Sequence, residues 1–210
     1  MKKDIEVEIR GPLTKEGFLK LKEVLDRKGK FIREKERLSL LYFRDKIPED
    51  VNEIKDDPID LRVRITNKKA ELMLKSGYWG GSDTRKEISI PFELSNFESI
   101  IQFLKILNWH ICVVYSTRAY IYEYQGIEFS LVDVRNFGYN YEAEILAASE
   151  QDVPSAKKKI LQICRMLKLS GYKPGEFENQ CNKMNHVKEQ QFDFNKDDPL
   201  LIRRKFKDSF

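Results

Sequence analysis

Two carboxylates, spaced two residues apart and followed by a cation, stand near the start of this chain of 210 residues. The alternating segment Ile5–Arg10 (IEVEIR) predicts a β-strand that turns Glu6, Glu8 and Arg10 to the same face. Paired carboxylates suit Mg²⁺ or Mn²⁺, because these hard cations take oxygen ligands. An ordinary half-solvated strand has the same pattern, so this segment alone leaves both interpretations open.

Charged residues recur at alternating positions of several later segments that also read as strands. The acids among them are Glu87, Asp133, Glu142 and Glu144, and the bases are Arg62, Arg64, Lys75, Arg85 and Arg118. Like charges that crowd together inside a closed sheet need compensation. A triphosphate with a divalent cation would compensate both signs, since the planar guanidinium of arginine matches phosphate oxygens.

The composition sets few further limits. A net charge of +4 permits an anionic ligand, and an apolar content of 41% is enough for a folded core. The three cysteines form no C-x-x-C pair, so the sequence indicates neither a zinc site nor a disulfide framework. The start of the chain is charged and no apolar run is long enough to span a membrane, so a cytoplasmic location is expected.

The elements that must position the charged residues alternate between strands and amphipathic helices. Helices are predicted at residues 15–28, 95–107 and 154–169. The acidic segment 45–60 contains two prolines and reads as an exposed loop, or as a lid over a ligand. The glycine-rich segment 76–84 reads as a connection in which Trp79 could stack on a base or pack against the protein.

The last part of the chain has a different character. Beyond Gly171 the sequence is polar and weakly patterned, and it ends with the basic cluster Arg203-Arg204-Lys205. A solvated appendage is the favoured interpretation, and a docking helix with a tail or a partner-binding segment is the alternative.

Taken in order, the motifs resemble those of the CYTH domain, also called the triphosphate tunnel metalloenzyme superfamily. The E-x-E-x-K motif of the family resembles the segment from Glu6 to Arg10, with arginine at the last position. Its R-x-R, L-x-L-K and R-x-E-x-E motifs resemble the segments at 62–64, 72–75 and 85–89, although Ser89 replaces the last glutamate. The later motifs are carried by Arg118, with Tyr115 or Ser116 where the family has lysine, and then by Asp133, Gly138, Glu142 and Glu144.

The resemblance implies an α+β fold in which a closed antiparallel eight-stranded β tunnel, or barrel, has helices packed on the outside. The tunnel domain would span residues 1–170, and residues 171–210 would form a C-terminal extension. By the same resemblance, Mg²⁺ or Mn²⁺ would be held by Glu6, Glu8, Asp133, Glu142 and Glu144. The implied substrate-binding residues are Arg10, Arg62, Arg64, Lys75, Arg85, Glu87 and Arg118, and the implied catalytic residues are Glu6, Glu8 and Lys75.

The implied activity is metal-dependent hydrolysis of a triphosphate-containing substrate, such as inorganic triphosphate, thiamine triphosphate or a nucleoside triphosphate. The alternative is a class IV adenylate cyclase, which converts ATP to cyclic AMP and pyrophosphate. A noncatalytic sensor of triphosphate or polyphosphate is the third hypothesis, motivated by the missing carboxylate at Ser89 and by the unusual C-terminal tail. The expected partner is a small molecule; nucleic acid is not expected, apart from an RNA 5′-triphosphate end, and a homodimer stays open.

Overall fold

The computed structural model describes residues 5–50, 59–76 and 86–210. These residues group into two compact units, each assembled from two separate stretches of the chain. Unit 1 comprises Met1–Lys35 and Thr117–Gly175, and unit 2 comprises Glu36–Ser116 and Glu176–Phe210. The predictions for Trp79, for Arg85 and for residues 51–58 of the acidic loop lie outside the described residues.

Unit 1 is built from antiparallel strands and two helices. Its complete elements are β1 (Ile5–Leu13), α1 (Lys15–Lys28), β7 (Ile127–Val134), β8 (Gly138–Ala147) and α3 (Val153–Met166). The first residues of β2 (Lys30–Phe43) and the last residues of β6 (Ile111–Tyr124) also belong to it, and the strand order is β1–β8–β7–β6. One face of these strands carries the apolar residues of the core, which the helices cover with their own apolar sides.

Helix α1 forms as its sequence predicts. The Thr14 hydroxyl accepts a hydrogen bond of 3.0 Å from the backbone N–H of Gly17, and this contact caps the first turn. The helix ends at Gly29, whose N–H donates to the carbonyl oxygen of Leu25 at 2.8 Å. Leu25 and its neighbours on the same side of the helix are buried in the core of unit 1.

Unit 2 contains a meander of strands, flanked by helices. Its complete elements are β3 (Ile59–Thr66), β4 (Lys69–Ser76), β5 (Lys86–Phe92), α2 (Phe97–Ile106), α4 (Glu176–Asn185), β9 (Gln191–Asp193) and α5 (Leu200–Lys205). The strand order is β2–β3–β4–β5, and β9 pairs with β6. A tight turn joins β3 and β4, with Asn67 and Lys68 both in the left-handed region (φ 47° and 64°).

The C-terminal residues 176–210 are part of the core of unit 2, so the prediction of a solvated appendage is wrong. Phe192, Phe194 and Ile202 are buried against residues of β2, β3 and α2. Arg203, from the predicted basic tail, donates to a carboxylate oxygen of Glu98 at 2.7 Å. The segment was misjudged because its apolar residues sit in short elements with no sustained helical or strand period.

The α+β class and the antiparallel pairing predicted for the strands are confirmed. The strands follow the order β1–β8–β7–β6–β2–β3–β4–β5, which is a path with two ends within the described residues. The pairings therefore do not show the predicted closure into a tunnel. None of the helices formed by residues 5–50, 59–76 and 86–210 is long and apolar enough to cross a membrane.

A close backbone approach in unit 1 gives a test of this packing. A Cβ atom added at Gly11 would lie 2.0 Å from the carbonyl oxygen of Ser170, a backbone atom that cannot rotate away. We expect Gly11→Ala to lower the free energy of unfolding by about 2 kcal/mol or more, measured by urea denaturation. The control is Gly171→Ala, whose Cβ would lie 3.4 Å from the nearest atom; equal losses in the two variants would contradict the packing.

Candidate metal and phosphate site

Three carboxylates converge on one face of unit 1. Ligand oxygens of Glu6, Glu8 and Glu144 all lie within 4.8 Å of one another. Strand alternation places the two β1 residues on the same face, and the register of β1 with β8 sets Glu144 directly opposite Glu8. The apolar residues between them, such as Val7 and Ala143, point to the opposite face and into the core.

Two of these carboxylates have pKa values well above the usual value for glutamate. Burial, together with repulsion from Glu142 and Glu6, raises the pKa of Glu8 to about 7 despite the opposing effect of Arg10. Burial also raises the pKa of Glu144 to about 7, with repulsion from Glu6, Glu128 and Glu142 acting in the same direction. A group of carboxylates that resists ionisation in this way is stabilised by an added cation.

Arg10 is the cation that already stands beside this cluster. Its guanidinium donates to Glu8 at 2.9 Å, and its Nε lies 3.2 Å from a carboxylate oxygen of Glu142. Glu142 is the cross-strand partner of Arg10, on the same face of β8 as Glu144. The structure thus brings the predicted phosphate ligand Arg10 to the acidic cluster, where it partly neutralises Glu8 and Glu142.

Asp133 and Arg118 lie on the other face of the strands of unit 1. They are cross-strand partners of each other, and Asp133 is also opposite Tyr139, whose ring packs at a tilt against Phe18 of α1. Arg118 forms an ion pair of 3.2 Å with Glu34. Both residues follow the parity of the helix-covered face and not that of Glu6, Glu8 and Glu144. The roles of Asp133 as a metal ligand and of Arg118 as a substrate ligand stay predictions.

The R-x-R motif in unit 2 places two arginines on the face of β3 opposite the core. The guanidinium of Arg62 is bound in a bidentate pair by Asp60, with both N–O distances at 2.6 Å. Its Nη1 also donates to the hydroxyl of Tyr115 at 3.2 Å. Arg62 is therefore held by two neighbours that the motif alone did not identify.

Arg64 has a less complete set of partners. Its side chain is buried, with 8% of the residue exposed, and its Nη1 donates to the sulfur of Met73 at 2.8 Å. Its Nε has no hydrogen-bond partner among the described residues. Burial and the proximity of Arg62 and Arg37 lower the pKa of Arg64 to about 10. A buried cation with an open donor beside two further cations is an arrangement that an anion would stabilise.

Lys75 and Glu87 lie on the same face of the meander, as the sequence predicts. They are cross-strand partners in β4 and β5, and Lys75 Nζ is 2.9 Å from a carboxylate oxygen of Glu87. Ser89, which stands where the family motif has its last glutamate, donates its hydroxyl to Glu71 of β4. The carboxylate of Glu71 therefore lies beside Ser89, the position where the family motif has a glutamate.

Sequence reasoning missed several charged residues on these faces. Each of them lies on the same face of the sheet as a motif residue, either in the same strand or in the neighbouring one. They are Arg37, Asp60, Glu71 and Glu128. Asp60 precedes Arg62 by two residues, so alternation alone places it beside the R-x-R pair. Glu128 could have been found by counting back from the β7–β8 turn, because the register sets it opposite Glu144.

The donor set of the acidic cluster fits a divalent cation. Glu6, Glu8 and Glu144 offer oxygen ligands only, and Mg²⁺ and Mn²⁺ prefer such ligands over nitrogen or sulfur. The nearby Arg10 compensates part of the negative charge, which leaves the cluster short of positive charge. We therefore assign these three carboxylates as the residues that could hold a metal.

Comparisons with known proteins agree with the motifs. The family model of the CYTH domain matches residues 4–173. A comparison with curated proteins finds no match. The PH1819 protein from Pyrococcus horikoshii OT3 is similar in structure with a TM-score of 0.62 and 22% identity, over 85% of this chain and 99% of that chain.

Two further solved structures share the fold. A conserved hypothetical protein from Pyrococcus furiosus has 22% identity and a TM-score of 0.57, over 79% of this chain and 91% of its own. HpAC1 from Hippeastrum, named as a candidate adenylyl cyclase and described as having a dominant triphosphatase activity, has 15% identity and a TM-score of 0.54. That match covers 81% of this chain and 92% of HpAC1. At these identities the likeness shows the fold alone.

The raised pKa values predict how the stability of the metal-free protein depends on pH. Glu8 and Glu144 keep their protons in the folded state up to about pH 7, whereas the unfolded chain releases them near pH 4.5. The folded state therefore binds more protons in this interval, and their contribution to the free energy of unfolding falls as the pH rises through it.

We expect the stability of the wild type relative to Glu8→Gln to fall by about 1–3 kcal/mol between pH 4.5 and pH 7.5. The measurement is urea denaturation in the presence of a chelator. The Glu8→Gln variant serves as the baseline because it cannot ionise at this position. A difference between the two proteins that stays constant or grows with pH would contradict the raised pKa.

Arg64 gives a second prediction, which separates stability from binding. Arg64→Met removes a buried and incompletely paired charge, so the free protein should be equally stable or about 1 kcal/mol more stable. The same variant should lose the increase in melting temperature that inorganic triphosphate gives the wild type. Arg204→Met, which removes an exposed arginine from unit 2, is the control and should keep this increase; a full increase in Arg64→Met would refute the role of Arg64.

Proposed function

Because the chain belongs to the CYTH domain family, we propose that it hydrolyses a triphosphate-containing substrate with the help of Mg²⁺ or Mn²⁺. Arg64 carries this proposal, since a buried guanidinium with an open donor beside Arg62 and Arg37 would be stabilised by an anion such as a phosphate group. The carboxylate cluster of unit 1 supports the metal requirement. The closed tunnel that the family resemblance implies is part of the same proposal.

The basic residues of unit 2 would bind and orient the phosphate chain. Arg62 and Arg64 project from alternate positions of β3 and would grip non-bridging oxygens, while Lys75 would neutralise charge on the leaving phosphate. A fixed chain leaves the terminal phosphorus in line with an attacking water, and this positioning supplies a large part of the rate enhancement.

The acidic residues of unit 1 would bind the metal. Glu6, Glu8 and Glu144 would hold the divalent cation, which neutralises the phosphate oxygens when it is bound. A bound cation would lower the pKa of Glu8 from its metal-free value of about 7 and keep this carboxylate ionised as a ligand. Since Glu8 cannot bind a metal while it is protonated, activity should rise as the pH rises toward this value.

The substrate is to be identified by product analysis with purified protein. The substrates are inorganic triphosphate, thiamine triphosphate and ATP, each with Mg²⁺ or Mn²⁺ and each repeated with a chelator. We expect metal-dependent release of orthophosphate. Cyclic AMP with pyrophosphate would establish the cyclase instead, and binding without turnover would establish a sensor; either result would refute the hydrolase.

The two glutamates of β8 provide a matched pair of variants. Glu144 belongs to the group of three convergent carboxylates, whereas Glu142 lies beside Arg10. We expect Glu144→Gln to lower kcat by about 100-fold or more, because it removes a metal ligand, and Glu142→Gln by about tenfold or less. Equal losses, or a larger loss in Glu142→Gln, would show that the metal is held elsewhere; circular dichroism verifies folding of both.

A further inference from the structure

A buried carboxylate beside the R-x-R motif binds one of its two arginines, Arg62. Asp60 is only 7% exposed, and both of its oxygens accept hydrogen bonds from Arg62. The distances of 2.6 Å and the side-on, bidentate geometry make this the most complete cation–carboxylate contact described on that face. Arg62 is thus fixed before any ligand arrives.

Tyr115 completes the fixation from a different strand. Its hydroxyl accepts from Nη1 of Arg62, so three of the five N–H donors of Arg62 have partners within unit 2. Tyr115 is one of the two residues, with Ser116, that stand where the family motif has lysine, and here its hydroxyl contacts an arginine. β9 pairs with β6 immediately before this residue, at Ile111, Cys112 and Val113.

Asp60 also lowers the positive charge of the surface on which it lies. A carboxylate next to a phosphate-binding group opposes the binding of a polyanion, and a buried ion pair is costly to desolvate. Asp60 is therefore expected to weaken the binding of a triphosphate. A fixed guanidinium, in contrast, favours catalysis, since small errors in the position of a reacting phosphate reduce the rate strongly.

We propose that Asp60 is a positioning residue that holds Arg62, with the help of Tyr115, in the orientation needed for phosphoryl transfer. Arg64, whose Nε has no partner among the described residues, provides the complementary contact that captures the phosphate. This inference rests on the proposed triphosphate hydrolysis. It separates the two arginines by role: Arg62 orients the substrate, and Arg64 contributes most of the affinity.

The test is the Asp60→Asn variant, with Kd for inorganic triphosphate measured by calorimetry and kcat by product release, at constant Mg²⁺. Loss of the carboxylate charge should tighten binding by about three- to tenfold. Loss of the fixed orientation should lower kcat by about 10- to 100-fold. Tighter binding with slower turnover supports the proposal, because simple damage to the fold cannot improve affinity. Weaker or unchanged binding, or unchanged kcat, overturns it.

Tyr115→Phe is the milder second variant, because it removes one neutral contact and leaves the charge unchanged. We expect kcat to fall about threefold with Kd unchanged. Asp198→Asn is the matched control; it removes one carboxylate from unit 2 at an exposed ion pair with Arg204, and both constants should stay at wild-type values. A loss of turnover in this control equal to that in Asp60→Asn would refute a specific role for Asp60.

A spectroscopic readout tests the fixation without any substrate. In ¹⁵N NMR spectra of the free protein, the Nε–H signal of Arg62 should be protected from exchange with water, and Asp60→Asn should remove this protection. Rapid exchange in the wild type would overturn the proposal. If the wild type shows the protected signal but hydrolyses and binds no triphosphate, the proposed function fails while the fixation of Arg62 stands.

Discussion

The two-residue repeat of the β-strands is the constraint on which the candidate site depends. In β1, β3, β4 and β8, one parity carries the apolar residues that form the cores of the two units, and the charged residues lie on the other parity. A shift of the register by one residue would bury Glu8 or Arg64 in the helix-covered core. The burial that stabilises each unit therefore also fixes which side chains share the opposite face.

Electrostatic compensation is the second level of organisation on these faces. Three basic motif residues described in unit 2 are compensated to different degrees. Lys75 has one partner, Arg62 has a bidentate partner, and Arg64 keeps an open donor. In unit 1 the balance is reversed, since Arg10 stands among carboxylates, and burial and repulsion raise the pKa values of two of them, Glu8 and Glu144. Such residual charge is costly in a folded protein and is typical of binding sites.

The sequence predicted the composition of the site better than its geometry. Alternation correctly placed the charged residues of β1, β3 and β8, because their motifs repeat every two residues. Asp133 has the parity of Phe129 and Leu131, so the alternation in β7 places it on the apolar side, whereas its match to the motif had grouped it with the acids of the polar face. That Arg118 lies opposite Asp133 depends on a long-range strand pairing, and a single sequence does not specify such a pairing.

Two other features lay beyond the sequence for physical reasons. The C-terminal segment packs into unit 2 through a few aromatic residues in short elements, and such contacts leave no periodic signal. Asp60 was visible in the sequence and its parity was correct, but its importance depends on the bidentate contact with Arg62. An isolated aspartate in a strand has many uses, and only the two short distances distinguish this one.

The most direct test is a crystal structure with Mn²⁺ and a non-hydrolysable triphosphate analogue, using the anomalous signal to locate the metal. We expect a manganese peak within bonding distance of oxygens of Glu6, Glu8 and Glu144. We also expect a phosphate oxygen within about 3 Å of Nε of Arg64. Manganese bound elsewhere, or an analogue that leaves Arg64 without a contact, would contradict the assignment of the site.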